Sequence, residues 1–150
     1  MPLNSAQRLG PFTVSSMLLD HPGDAYAYRI EYGGRVLVCA TDASYNDLSP
    51  GYMQRYYDFY KGADVLVFDA FFGLGEAFEK RDWGHSSSFI GVDIALSAEV
   101  KRLVLFHHAP TSDDQRPKRL LDSTRRYLAH VDPRSTCKIV LAYEGLELIL

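Results

Sequence analysis

The chain contains 150 residues, enough for one domain with a hydrophobic core and too few for two comfortable ones. A hydrophobic content of 47% and a charged content of 23% are those of an ordinary globular protein. The formal net charge of −3 argues against a broad nucleic-acid-binding face, because such faces are strongly basic. We therefore predict a single domain that covers residues 1–150.

The first part of the chain is predicted to form three strands with a tight turn between the last two. Strand-like runs occupy residues 12–19, 25–32 and 35–40. Gly33 and Gly34 separate the second and third runs, and paired glycines supply the positive φ angles of a two-residue hairpin turn. This pattern predicts an antiparallel start to the sheet.

A helix is predicted to follow, from Ser49-Pro50 to Gly62. Serine is a favourable cap, proline fits the first turn of a helix, and glycine commonly follows the last turn. Apolar and aromatic residues recur along this segment at spacings of three and four: Tyr52, Met53, Tyr56, Tyr57 and Tyr60. Such spacing is typical of a helix face that packs on the core.

The remainder of the chain alternates between strands and helices. Strand-like runs lie at 64–68, 101–106, 137–142 and 146–150. One helix is predicted to begin after Ser86 or Ser87, and a longer one runs from Ser112 or Asp113 to about His130. The order βββαβαβαββ indicates an α/β fold with an antiparallel start.

The cysteine content and the lengths of the apolar runs indicate the cellular compartment of the protein. Cys39 and Cys137 lie in apolar, strand-like runs and form no disulfide scaffold, which fits a reducing compartment. Residues 1–5 lack the features of a signal peptide, and no apolar run approaches the roughly 18 residues of a membrane span. We expect a cytoplasmic protein with no membrane partner.

Polar side chains stand where several of the predicted strands end. His21 and Asp42 follow the first and third strands within two residues, and His107 comes directly after 101–106. Such strand ends are where α/β folds collect metal ligands and catalytic groups. Asp69 ends another strand, where it could orient His85 or exchange a proton with it. Imidazole and carboxylate ligands suit zinc, iron or manganese.

Each of these residues also has a purely structural interpretation. His21 precedes Pro22-Gly23 and fits a turn, Asp42 fits an Asx-turn, and His85 fits the position before a helix cap. The chain contains no H-x-H or H-x-x-H spacing, and therefore no ready-made pair of metal ligands. The spacing alone leaves both interpretations open.

A basic cluster occupies the last predicted helix. It consists of Arg116, Lys118, Arg119, Arg125 and Arg126. On a helix, such a cluster is more typical of a solvated surface than of a phosphate-binding track. We take the solvated surface as the first interpretation and a phosphate-binding track as the alternative.

Six segments, in order, resemble the C-terminal half of the metallo-β-lactamase superfamily, particularly its phosphodiesterase-like and tRNA 3′-end-processing branches. They are LDHPGDAYAYRIEYGG (19–34), VLVCATDASY (36–45), ADVLVFDAFF (63–72), WGHSSS (83–88), VKRLVLFHHAP (100–110) and LAYEGLELIL (141–150). The resemblance implies half of an αββα sandwich, with one mostly antiparallel sheet and helices on one face. It also implies a metal-dependent hydrolase with a phosphodiester substrate.

The same resemblance implies roles for five residues. His21 corresponds to a ligand of the first metal, Asp42 to the carboxylate that bridges two metals, and His107 to a ligand of the second metal. Asp69 and His85 correspond to an acidic residue and a histidine that assist the leaving group in the RNA-processing branch. The implied cofactor is Zn²⁺, or Mn²⁺ or Fe²⁺, in a two-metal site.

The departures from the family pattern determine how much metal binding and activity we expect of this chain. The family's H-x-H-x-D-H motif has no counterpart, since the twenty residues before His21 contain no histidine. The remaining ligands fill neither metal site, so we expect metal to be weakly bound or absent and the chain alone to be inactive. Phe71 and Phe72 also stand where relatives commonly have an aromatic hydroxyl.

Three interpretations of the incomplete motif set remain. The chain is a half that needs a complementary N-terminal half, a non-catalytic binding or oligomerisation module, or a homo-oligomer with a site rebuilt between chains. The resemblance also implies that one sheet face normally packs on the other half, and helices on one face cannot cover Val36, Val38, Val65 and Val67 together. We therefore predict dimerisation or association with a second chain.

Overall fold

The computed structural model describes residues 6–73, 76, 83–108 and 115–150. Within these ranges, seven strands form one sheet whose spatial order equals their order in the chain. The strands are β1 (Gln7–Leu9), β2 (Phe12–Leu19), β3 (Ala25–Tyr32), β4 (Arg35–Ala40), β5 (Val65–Asp69), β6 (Arg102–Phe106) and β7 (Lys138–Leu141). The helices are α1 (Pro50–Tyr60), α2 (Ser88–Ser97) and α3 (Gln115–Val131).

The sheet is mixed, which confirms the α/β class and refines the expectation of mostly antiparallel pairing. Strands β1 to β4 pair antiparallel, and strands β4 to β7 pair parallel. The reason lies in the connections. Short turns join antiparallel neighbours, whereas a crossover containing a helix returns the chain to run parallel to the strand it left.

Two parts of the predicted strand pattern differ from the structure. Strand β1 was not predicted, and it pairs only with β2 at the sheet edge. Residues 146–150 were predicted as a strand and do not form one, although the preceding turn is present with Gly145 at φ +83°. Instead, the backbone oxygen of Ile149 accepts a hydrogen bond from Arg102 on β6. The chain end is thus held to β6 by a side-chain hydrogen bond rather than by strand pairing, and Ile149 itself is 90% exposed.

The predicted turn and caps are largely present. Gly33 and Gly34 have φ values of +56° and +77°, as the β3–β4 hairpin requires. Ser87 caps α2 by accepting a hydrogen bond from the amide of Phe89. Ser49 precedes α1 but makes no capping bond with its side chain. The predicted caps Ser112 and Asp113 lie outside the described residues.

The core lies between one face of the sheet and the helices. Val38, Leu66 and Leu103 occupy neighbouring positions on β4, β5 and β6 and are completely buried or nearly so. Helix α1 contributes the predicted stripe, of which Met53, Tyr56 and Tyr60 are buried. At α2, a Cβ atom on Gly91 would lie 2.8 Å from the Phe68 ring, so the absence of a side chain lets this helix approach β5 closely.

The opposite face of the sheet carries exposed apolar side chains. The register places six residues that are at least 40% exposed on this face: Leu9, Phe12, Leu18, Tyr28, Tyr32 and Phe106. The same register puts Val36 and Val38 on the helix side, with Val65 and Val67 on the opposite side. The helices thus face one pair and not the other, although Val65 itself is only 1% exposed.

Among the helices of the described residues, none combines the length and hydropathy needed to cross a lipid bilayer.

Candidate active site

The candidate site residues meet at the edge of the sheet where the parallel strands end. Asp42 lies two residues beyond β4, Asp69 ends β5, and His107 follows β6 directly. The carboxyl ends of parallel strands meet at one edge, which is where open α/β sheets bind ligands. Strand β2 runs in the same direction as β4 because both pair antiparallel with β3, so His21 reaches this edge too.

Three of these side chains form a compact cluster. Asp42, His85 and His107 each offer a ligand atom, and these atoms all lie within 4.8 Å of one another. Asp42 Oδ1 lies 3.5 Å from His107 Nε2. Zinc bonds of 2.0–2.1 Å place neighbouring ligand atoms of a tetrahedral ion about 3.3 Å apart. The chemistry and spacing of this pair therefore suit a shared metal ion.

The backbone at the cluster adopts an uncommon conformation. Asp42 has φ +56° and His107 has φ +58°, in the left-handed region that non-glycine residues seldom occupy. Only Glu99 shares this feature among the non-glycine residues that the structure describes. Backbone strain of this kind is concentrated at functional sites, where surrounding contacts hold the residue in place.

Asp69 supports His85 from beneath the cluster. Its carboxylate is completely buried, and its Oδ2 lies 2.8 Å from His85 Nδ1. The backbone amides of Phe71, Ala43 and Ser86 also donate to this carboxylate, at 3.1, 3.3 and 3.4 Å. Burial raises the pKa of Asp69, although the hydrogen bond and charge of His85 oppose this rise. The contacts fix the His85 ring and leave its Nε2 for the cluster.

Phe71 is a site residue that the sequence marked only as a departure from the family pattern, with no functional role. Its ring stacks on His85 with centroids 4.4 Å apart and planes inclined by 10°. It also lies 5.6 Å from the His107 ring. Its position two residues after Asp69 was the available signal, since a short loop after a strand end keeps neighbouring side chains near the same site.

His21 lies beside the cluster of three rather than within it. Its ring centroid is 5.8 Å from that of His85, and its Nδ1 is hydrogen-bonded to the backbone of Gly23. Gly84 packs against it: an added Cβ atom would stand 2.6 Å from His21 Cδ2 and 2.4 Å from Pro22 Cδ. The loop after β2 and the segment before α2 thus approach each other closely only because residue 84 has no side chain.

A polar network joins the loops that follow β2 and β4. The carbonyl of Asp20 accepts hydrogen bonds from the amide and hydroxyl of Ser44, at 2.8 and 3.1 Å. The Asp20 carboxylate accepts further bonds from Tyr52 and Arg55 on α1, the latter at 3.0 Å. Helix α1 therefore anchors the segments that carry His21 and Asp42, which local sequence patterns did not indicate.

His108 differs from its neighbour His107. Its Nε2 is buried without a hydrogen-bond partner among the described residues. Burial lowers the pKa of His108, with a smaller contribution from His107, so the neutral imidazole is favoured.

Comparison with known sequences identifies related hydrolases. The chain is 32% identical over 98 residues to YhfI of Bacillus subtilis, described as a probable metallo-hydrolase. It is 39% identical over 69 residues to ribonuclease Z of Sulfurisphaera tokodaii. These matches cover 65% and 43% of this chain, and 36% and 23% of the two relatives. No family model matches the chain.

Comparison with solved structures shows a shared fold. YhfI from Bacillus subtilis, described as a metallo-beta-lactamase fold protein, superposes with a TM-score of 0.74 and 24% identity. Human tRNase Z, short form, gives 0.64 and 19%. The superpositions cover 97% and 93% of this chain, but only 53% and 44% of the other chains. The chain thus spans about half of each of these two proteins.

Proposed function

The chain belongs to the metallo-β-lactamase superfamily, and on that premise we propose that it is the C-terminal half of a metal-dependent phosphodiester hydrolase. The superfamily membership supports hydrolysis with a bound metal. The ribonuclease Z relatives support a phosphodiester as the substrate and a place in the tRNA-processing-like branch of the superfamily. The complementary N-terminal half is the proposed partner.

The observation that carries this proposal is the convergence of Asp42, His85 and His107 at the carboxyl edge of the sheet, with ligand atoms within 4.8 Å. Zn²⁺, with Mn²⁺ or Fe²⁺ as alternatives, suits these ligands. We assign Asp42 and His107 as metal ligands, with His21 beside them. When bound, such an ion lowers the pKa of a water molecule and polarises a phosphoryl oxygen.

His85 is proposed as the group that protonates the leaving oxygen. Its Nδ1 is held by Asp69 at 2.8 Å, so the proton to be transferred would reside on Nε2. The buried Asp69 carboxylate stabilises the imidazolium that precedes this transfer and fixes the ring orientation. General acid catalysis of this kind contributes roughly 10²–10⁴-fold, a small part of the acceleration by a hydrolase.

The chain alone is proposed to be inactive, with weakly bound metal. Catalytic zinc sites use at least three protein ligands, and Asp42, His107 and His21 would have to serve two ions. An aspartate that orients the attacking water belongs, by resemblance, to the motif that this chain lacks. The missing ligands would come from the complementary half.

Hydrolysis of bis-p-nitrophenyl phosphate with added Zn²⁺ or Mn²⁺ tests this function. We expect no turnover by the chain alone and metal-dependent turnover when the N-terminal half of a relative is supplied. Asp42→Ala and His107→Ala should then abolish activity, whereas His130→Ala, at the exposed end of α3, serves as the matched histidine control. Metal-dependent turnover by the chain alone, lost in His21→Ala, would contradict the proposal.

A binding or oligomerisation module is the second candidate function. The observation that favours it is the exposed apolar sheet face, which offers a large interaction surface whether or not metal binds. Tight association with the N-terminal half but no turnover under any metal condition would support this candidate over the hydrolase.

A further inference from the structure

Two histidines, His21 and His85, lie next to the Asp42–His107 pair, and the structure places them differently from the family resemblance. The resemblance makes His21 a metal ligand and gives His85 a role in proton transfer. In the structure, the ligand atoms of Asp42, His85 and His107 lie within 4.8 Å of one another. Within the part of the chain that the structure describes, no other group of three such residues is as compact, and His21 is not a member of this one.

The contacts of His21 explain why it stays outside the group. Its Nδ1 lies 3.1 Å from both the backbone nitrogen and the carbonyl oxygen of Gly23, within its own turn. The other edge of the ring packs on Gly84, where an added Cβ atom would stand 2.6 Å from Cδ2 and 3.0 Å from Nε2. One ring nitrogen is therefore engaged in a turn, and the other faces the backbone of the segment before α2.

His85 is held in place by its neighbours, and its Nε2 is the nitrogen left for an ion. Asp69 Oδ2 lies 2.8 Å from Nδ1, and Phe71 stacks on the ring with centroids 4.4 Å apart. The His107 ring lies on another side, with centroids 4.8 Å apart. A carboxylate that accepts the N–H of one ring nitrogen fixes the tautomer in which the other nitrogen carries the lone pair, as at many zinc-binding histidines.

The spacing of the three ligand atoms suits a single ion. Zinc bonds of 2.0–2.1 Å place the ligand atoms of a tetrahedral ion about 3.3 Å apart. Asp42 and His107 are separated by 3.5 Å and no pair of the three by more than 4.8 Å, so closure around one ion needs shifts of about 1.5 Å or less. All three side chains are partly exposed, which gives an ion from solvent access to them. Two histidines and one carboxylate are a known ligand set of catalytic zinc and iron sites.

We propose that His85 is a metal ligand in this chain, and that its Nε2 completes a single-ion site with Asp42 and His107. The site rests on the proposed metal-dependent hydrolase and names the residues that hold an ion before the complementary half supplies further ligands. One nitrogen cannot hold an ion and a transferable proton together. Occupation of Nε2 is therefore a second reason to expect an inactive chain, and ligands from the complementary half would free His85 for proton transfer.

Calorimetric titration of the 150-residue chain with ZnCl₂ tests this ligand set. His85→Gln and His21→Gln are matched substitutions, because each removes one imidazole next to the Asp42–His107 pair. We expect weak binding of one ion per chain, weakened further by about tenfold or more in His85→Gln and by less than about twofold in His21→Gln. His130→Gln, at the exposed end of α3, measures unspecific binding to imidazole and should leave the affinity unchanged.

Two further readouts separate ligation from a structural role of His85. The visible absorption bands of bound Co²⁺ should change in His85→Gln and stay the same in His21→Gln. In the unsubstituted chain, the ring-nitrogen resonances of His85 and His107 should shift on addition of Zn²⁺, whereas those of His21 should not. This last measurement needs no variant, so it decides the question even if His85→Gln fails to fold.

The opposite pattern would overturn the proposal. If His21→Gln weakens zinc binding and His85→Gln does not, the ligand set implied by the resemblance is correct. Equal zinc affinities in the three glutamine variants, or an unshifted His85 resonance, would also exclude His85 as a ligand.

The outcome is separable from that of the proposed hydrolase. Zinc binding is measured without substrate, so the predicted pattern stands even if the supplemented chain fails to hydrolyse bis-p-nitrophenyl phosphate. Conversely, metal-dependent turnover by the supplemented chain, together with an unchanged zinc affinity of the chain alone in His85→Gln, would support the hydrolase and reject the single-ion site.

Discussion

Gly84 shows how a single residue determines the geometry of the candidate active site. It has φ +80°, and its α-carbon faces the His21 ring and Pro22. Any side chain there would add a collision to a strained backbone. The position immediately precedes His85, so a shift at Gly84 would be transmitted to both histidines.

The prediction at the residue scale is that Gly84→Ala is more damaging than an equivalent change elsewhere. Gly34 has a similar φ of +77°, with nothing within 4 Å of an added Cβ atom, so Gly34→Ala measures the backbone cost alone. We expect about 1 kcal/mol of lost unfolding free energy for Gly34→Ala and about 2–4 kcal/mol for Gly84→Ala. Urea denaturation measures both values.

The resonances of the His21 ring test whether the stability lost in Gly84→Ala arises at the candidate active site. The His21 ring resonances should shift in Gly84→Ala and remain unchanged in Gly34→Ala. Equal destabilisation by the two substitutions, with unmoved His21 resonances, would show that the close packing at Gly84 does not position this histidine.

At the scale of elements, Asp64 ties together the strands at the edge opposite to the candidate site. Its carboxylate accepts hydrogen bonds from the Val36 amide at 2.9 Å, from Arg35 at 3.1 Å and from Lys101 at 2.9 Å. These residues stand at the starts of β4 and β6, while Asp64 itself precedes β5. One nearly buried side chain therefore aligns three strands at the edge away from the candidate site.

This arrangement predicts an acid-sensitive contribution to stability. The Lys101 hydrogen bond, together with those of Val36 and Arg35, lowers the pKa of Asp64 to about 2 from its usual value of 3.8. The stabilisation is complete above about pH 4 and is lost as the pH falls through about 2. Because Lys101 and Arg35 are largely exposed, solvent screening limits it to about 1 kcal/mol.

Asp64→Asn measures this contribution. The variant should be less stable than the parent protein at pH 7, and the difference should shrink progressively between about pH 4 and pH 2, as measured by urea denaturation. A difference that stays constant down to pH 2 would mean that the carboxylate charge is not responsible.

At the scale of the whole molecule, the most consequential feature is the asymmetry of the two sheet faces. One face packs on helices α1, α2 and α3, whereas the other carries half-exposed or exposed apolar side chains, including Leu18, Tyr28 and Phe106. The C-terminal segment crosses only part of this face, with Leu150 beside Phe12 and Leu37. Apolar patches of this kind mark interaction surfaces.

We predict that the chain associates through this open face, either with itself or with the complementary half. Light scattering over a concentration series should show a mass above that of the 16.9 kDa monomer. Leu18→Lys combined with Phe106→Lys should restore the monomer, and Val131→Lys, at the 41% exposed end of α3, is the control on the helix side. A monodisperse monomer at high concentration would contradict the prediction.

The sequence by itself determined the local structure and the list of candidate site residues. Strand periodicity located β2, β3 and β4 to the residue, the paired glycines specified their hairpin, and Ser87 was one of two expected caps. His21, Asp42 and His107 were identifiable because polar residues interrupted apolar strands at their ends. All of these signals depend on interactions within a few residues, so a linear pattern contains them.

Only the tertiary structure decided which of these residues meet. It set the parallel register of β4 to β7, brought His85 into the cluster with Asp42 and His107, and stacked Phe71 on it. It also left residues 146–150 outside any strand, with the backbone of Ile149 bonded to Arg102. These outcomes depend on contacts between segments distant in the chain, such as Asp69 with His85 or Asp20 with Arg55. Local sequence propensities do not encode such contacts, because the contacts form only when distant segments pack together in the folded core.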